Sequence, residues 1–164
     1  QGLELKRIVL VLDVSGSMDC TYPRLMAMIS PFAPLVKDLI LFSENYYHED
    51  PKKLMSVDGI EDLLRNAPWE GTNVRDALAE ARKVADKEDV IMVVTDEQEN
   101  VNVKKQIETP HIVVNPKPYP AHVPFSTKFI YVPATNAESI ASAYRLTQIF
   151  SLNPTSTQNL NITT

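Results

Sequence analysis

Three oxygen-bearing side chains alternate in Asp13-Val14-Ser15-Gly16-Ser17, directly after the apolar run Ile8–Leu12. Gly16 lets the backbone fold tightly enough for all three to turn toward one point. Two further oxygen donors lie far along the chain: Thr72, in the loop before the clearest helical pattern, and Asp96, which ends another apolar run. Five hard oxygen donors without sulfur or imidazole suit Mg²⁺ or Mn²⁺. Only two of the five are carboxylates, so a bound divalent ion would not be over-neutralised and could keep an open position for an oxygen from elsewhere. Ser and Asp after a strand are also ordinary turn and cap residues. The first segment alone therefore supports either reading, and Thr72 and Asp96 add weight to the ion.

The elements that must position these residues follow from hydrophobic patterning. Ile8–Leu12, Leu39–Phe42 and Val90–Thr95 are short, β-branched and unalternating, as strands buried on both faces are. His111–Val114 and Phe129–Val132 read as two more strands, and Lys53–Val57 as an edge strand. A helix is expected from Thr21 and Pro23 through Leu25, Met28 and Ile29, interrupted by Pro31 and Pro34. A short helix over Asp58–Asn66, capped by Asp58, would bury Ile60, Leu63 and Leu64. Over Val74–Lys87 the apolar residues Val74, Ala77, Leu78, Ala81, Val84 and Ala85 recur at helical spacing, with Asn73 and Asp76 as a capping pair. Ile140, Ala143, Tyr144, Thr147 and Phe150 mark a final helix.

Strands alternating with helices predict an α/β fold: a doubly wound, Rossmann-like, mostly parallel sheet flanked by helices. Its ligand belongs at the carboxyl ends of the strands, where the strand order reverses. Asp13 and Asp96 both end strands. At 164 residues one domain is expected, over 1–152, with 153–164 as a polar tail.

These residues resemble the von Willebrand factor type A (VWA) domain family. Asp13-Val14-Ser15-Gly16-Ser17 matches that family's metal-ion-dependent adhesion site motif, Asp-x-Ser-x-Ser. Phe42-Ser43 match the end of its second strand, Gly71-Thr72 with Ala77-Leu78 its Gly-Thr…Ala-Leu signature, and Thr95-Asp96 its Thr-Asp pair. The resemblance covers roughly residues 6–150 and implies a non-enzymatic binding module. It implies that Asp13, Ser15, Ser17, Thr72 and Asp96 hold the ion, the serines and threonine directly and the aspartates directly or through water. A Glu or Asp of a protein partner would complete the coordination. Trp69 and Glu97 are candidate residues of the partner-contact rim, and Glu97 departs from the family by standing where glycine is usual. Pro31, Pro34 and the segment after Asp96 also depart from the usual helix lengths.

Composition narrows the alternatives. Sixteen basic against twenty-one acidic residues leave −5, and residues 1–108 hold 13 basic and 20 acidic residues. An acidic front half suits a cation, and no basic stripe is present to track a phosphate backbone, so direct nucleic-acid binding is not expected. The four glycines, at 2, 16, 59 and 71, form no phosphate loop. No apolar run approaches the ~20 residues of a membrane span, and membrane insertion is not expected. Cys20 is the single cysteine, which with the acidic surface slightly favours a cytoplasmic setting, within a larger chain or assembly. A Mg²⁺-dependent phosphatase resembling the haloacid dehalogenase family also opens on an Asp ending its first strand. Its second Asp, two positions on, is Ser15 here, and Gly71-Thr72 would have no role. A VWA fold with an unoccupied site, kept for a structural role, is the other alternative. His48-Glu49-Asp50 reads as a solvated turn, Asp76 and Glu80 as solvent-facing, and Tyr46 and Tyr47 as rim or loop cover.

Overall fold

The computed structural model describes residues 6–14, 29–65, 74–95, 112–115, 130–133, 137–149 and 160–161. Strand β1 (Ile8–Asp13) is buried along its whole length. It pairs in parallel with β2 (Val36–Phe42) on one side and β4 (Val90–Val94) on the other. Strand β3 (Tyr46–Glu49) runs antiparallel along β2. On the far side β5 (Ile112–Asn115), β6 (Ile130–Pro133) and β7 (Leu160–Asn161) follow β4, all parallel. The described residues thus form one mixed, mostly parallel sheet in the order β3-β2-β1-β4-β5-β6-β7.

The pleat divides the apolar residues between two cores. Ile8, Leu10 and Leu12 join Leu39, Leu41, Met92, Val94 and Val114 on one face, together with Leu54, Leu63, Ile140 and Tyr144. Val9, Val11, Ile40, Phe42, Ile91 and Val93 face the other way, against Val74, Ala77, Leu78 and Ala81. The helices α1 (Val57–Arg65) and α3 (Ala137–Ile149) therefore serve the first core, and α2 (Val74–Val84) the second. Covering both faces is what allows the central strands to be apolar at every position rather than at alternate ones. The fold is α/β, and the strand order turns at the β1–β4 seam: the chain builds outward from β1 to β3, then returns past β1 to β4.

Several local expectations need correction. Lys53–Val57 is not an edge strand. Pro51–Met55 is a 3₁₀ turn, opened by Pro51 and by Asp50, whose carboxylate accepts the Lys52 backbone N–H at 2.9 Å. The edge is β3, where His48 and Glu49 lie in a strand rather than a solvated turn. Ser56 caps α1, its hydroxyl accepting the Gly59 N–H at 3.0 Å, while Asp58 sits in the first turn. Strand β2 begins at Val36, directly after the 3₁₀ turn Ser30–Leu35 in which Pro31 and Pro34 lie. Helix α2 ends at Val84, three residues short of the expected Lys87. Within the expected polar tail, Leu160 and Asn161 pair with Ile130 and Tyr131 of β6. Residues 21–28 of the expected first helix, Cys20, Asn73 and His111 lie outside the described residues.

Candidate metal site

Asp13 is the last residue of β1 and is fully buried. Its neighbours explain how a carboxylate can be held there. It stands opposite Phe42 of β2, and the next backbone N–H, that of Val14, donates to the Phe42 carbonyl at 2.7 Å. On the other side Thr95, also fully buried, donates its hydroxyl to Asp13 Oδ2 at 2.6 Å. The Thr95 N–H in turn donates to the Val114 carbonyl of β5 at 3.1 Å. A buried carboxylate demands such donors, because an ion moved from water without partners is strongly disfavoured.

The pleat also fixes which face the site belongs to. Asp13 follows Val9 and Val11 at the strand period of two, and Thr95 follows Ile91 and Val93. Both therefore fall on the α2 side of the sheet. Val74, the first residue of α2, is fully buried in that same core. The end of α2 connects through Asp86 and Asp89 to the start of β4, where Val90 N–H donates to the Arg7 carbonyl at 2.8 Å. An eleven-residue helix spans about 16 Å, and a five-residue strand spans about the same. The start of α2 thus comes back to the level of the strand carboxyl ends. In the sequence Thr72 stands two residues before Val74, and Asp96 one residue after Thr95.

Of the five expected ligands, Asp13 is among the described residues. Ser15, Ser17, Thr72 and Asp96 lie outside them, as do Trp69 and Glu97. Among the described residues no three His, Cys, Asp or Glu side chains gather as a metal site, and no helix is long and apolar enough to cross a membrane. Asp13 is a hard oxygen donor of the type Mg²⁺ and Mn²⁺ take, held at the β1–β4 seam where a sheet of this order receives its ligands.

Three nearby features differ in the structure from what their sequence pattern suggests. Thr95, one half of the Thr-Asp pair, is the partner of Asp13, and a hydroxyl at the end of an apolar run is its signal in the sequence. Tyr46 and Tyr47 separate: Tyr46 is 38% exposed and lies in the register row Asp13–Phe42–Tyr46, two strands or about 10 Å from Asp13. Tyr47 packs against the opposite core. Glu80 does not simply face solvent, because its carboxylate lies 2.5 Å from His48 Nε2 and ties α2 to β3.

No family model matches the chain, and no curated protein matches it. Among solved structures it is similar to the pilus adhesin SpaC from Lactobacillus rhamnosus GG in an open conformation, at 13% identity and a TM-score of 0.48. The alignment covers 100% of this chain and 28% of the adhesin, so the chain spans less than a third of that protein. The likeness carries no functional argument.

Proposed function

We propose that this domain is a VWA-type binding module rather than an enzyme. Asp13, Ser15, Ser17, Thr72 and Asp96 would hold Mg²⁺ or Mn²⁺ at the carboxyl ends of β1 and β4, and Trp69, Glu97 and Tyr46 would border the site. The observation that carries this reading is the bond between Asp13 and Thr95. It joins two strand ends 82 residues apart in sequence, each of which bears a carboxylate of the expected set. Further support comes from the mixed strand order with an antiparallel β3 edge, which agrees with a doubly wound VWA-like sheet, and from the return of α2 toward the same end.

A bound divalent cation short of ligands is a strong local attractor for an anionic oxygen. The chain's own residues determine how that attraction is used. Asp13 supplies charge from a rigid, buried strand end, so little ordering remains to be done on binding. Two carboxylates balance a divalent ion without over-neutralising it, and an open coordination position would take an oxygen from a Glu or Asp of a protein partner. The module would then work as one part of a larger chain or assembly.

Calorimetric titration of Mg²⁺ and Mn²⁺ into metal-stripped protein tests the reading, beside Asp13→Ala. Saturable binding lost in the variant is expected. Thr72→Ala is expected to weaken capture of an acidic peptide more than it lowers the melting temperature. Failure of the wild-type protein to bind either ion, with or without an acidic peptide, would overturn the reading.

A further inference from the structure

Thr95 is absent from the expected ligand set, yet it is the described side chain that addresses Asp13 directly. Its position is constrained from two sides. Its backbone N–H is held by the Val114 carbonyl of β5 at 3.1 Å, while its hydroxyl crosses to Asp13 Oδ2 of β1 at 2.6 Å. Both side chains are fully buried, so water does not compete for the bond. The next residue in the chain is Asp96. One threonine is thus bonded to the first carboxylate of the proposed ion site and precedes the second in the sequence.

We infer that Thr95 is a positioning residue of the ion site: its hydroxyl sets the orientation of the Asp13 carboxylate before any ion arrives. The inference rests on the proposed ion-binding function. A hydroxyl bound to one carboxylate oxygen restricts rotation about the Asp13 side chain and steers how that carboxylate meets a metal. Partners of metal ligands commonly act in this way, and their loss typically weakens metal affinity by about 10–100-fold. The same bond fastens the end of β4 to β1.

The test compares Mn²⁺ and Mg²⁺ affinity of the full chain with that of Thr95→Val and Thr95→Ser, each with a metal-free melting curve. Thr95→Val removes the hydroxyl at nearly constant volume, and Thr95→Ser keeps it. Affinity is expected to fall about tenfold or more in Thr95→Val and to stay within about threefold of wild type in Thr95→Ser. A purely structural role would lower the melting temperature without this split between valine and serine. Should Thr95→Val fail to fold, Thr95→Ala takes its place as the hydroxyl-free variant. Wild-type binding with unchanged affinity in the hydroxyl-free variant overturns the role of Thr95 and leaves the ion site standing. Equal losses in the serine and hydroxyl-free variants also overturn it. No binding by the wild type overturns the ion site and the inference together.

Discussion

Lys37, near the start of β2, reaches past the intervening strand β1 to Asp89, just before β4, with Nζ 2.5 Å from Oδ2. The Asp89 carboxylate is 8% exposed and also accepts the Asp86 N–H at 2.7 Å. A second carboxylate, Asp86, lies 3.0 Å from the same ammonium but is largely solvent-exposed. This clamp closes the amino end of the central strands, opposite the end that carries Asp13. The sheet therefore separates its structural ion pairing from its candidate binding chemistry by the length of a strand.

That separation makes Asp89→Asn a control for the proposed metal site. It is expected to cost about 1–3 kcal/mol of stability, since a buried charged acceptor is lost, and to leave Mg²⁺ affinity unchanged. The hydrogen bond that Lys37 donates to Asp89 raises its pKa above 10.5, with burial opposing it and Asp86 adding to it. A lysine raised on folding stabilises fully below its unfolded value and loses that contribution as pH climbs through the folded one. Urea midpoints at pH 7 and pH 11 are thus expected to differ more for wild type than for Asp89→Asn. Equal differences would remove the clamp from the alkaline stability of the domain.

At the opposite end, Asp13→Asn keeps an oxygen that can accept the Thr95 hydroxyl but removes the charge. Metal-free stability is expected to stay within about 1 kcal/mol of wild type, and ion affinity to fall by tenfold or more. Thermal melting paired with calorimetry reads both. An unfolded Asp13→Asn protein would make this aspartate a structural residue first.

Gly59→Ala sets two effects against each other. Alanine gains up to about 1 kcal/mol of helix propensity within α1. A Cβ at this position, however, would lie 2.3 Å from the Lys53 carbonyl oxygen and 2.7 Å from its Cα. Those are backbone atoms, and Lys53 is itself paired with Glu49 at 2.9 Å and Asp62 at 2.7 Å. The clash should win, with a net loss of about 1–3 kcal/mol in chemical denaturation. A raised midpoint would show that the 3₁₀ turn Pro51–Met55 can withdraw from α1 at little cost.

The cap of α1 gives a smaller contrast. Ser56→Ala is expected to cost about 1 kcal/mol, because the Gly59 N–H loses its acceptor. Asp58→Ala removes only a first-turn charge, worth about 0.3–1 kcal/mol at low salt. Added salt should shrink the second loss and spare the first; a reversed order would return the capping role to Asp58.

How far the sequence could be read depended on where the information lay along the chain. Strands β1, β2 and β4 were visible because parallel strands covered on both faces are apolar at every position, and Ile8–Leu12, Leu39–Phe42 and Val90–Val94 are. Helix α2 was visible because Val74, Ala77, Leu78 and Ala81 repeat at helical spacing, and all four are buried. Strand β3 was not, because Tyr-Tyr-His-Glu is half-exposed on an edge and has no apolar signature. The Pro51–Met55 turn departs from the expected edge strand for a related reason: Asp50 and Pro51 govern it through one local bond, which outweighs the propensities of Lys53–Val57.

The candidate site divides in the same way. The oxygen-donor motif Asp13-x-Ser15-x-Ser17, and the separate positions of Thr72 and Asp96 beside their own helix and strand patterns, are read from the sequence alone, since residue type and short-range spacing need no tertiary contact. Tertiary structure decided that the chain reverses at the β1–β4 seam, that Asp13 and Thr95 meet there, and that Lys37 and Asp89 close the other end. Those relationships join residues 82 and 52 positions apart. No local period encodes them; they arise only when burial of two apolar sheet faces selects one strand order.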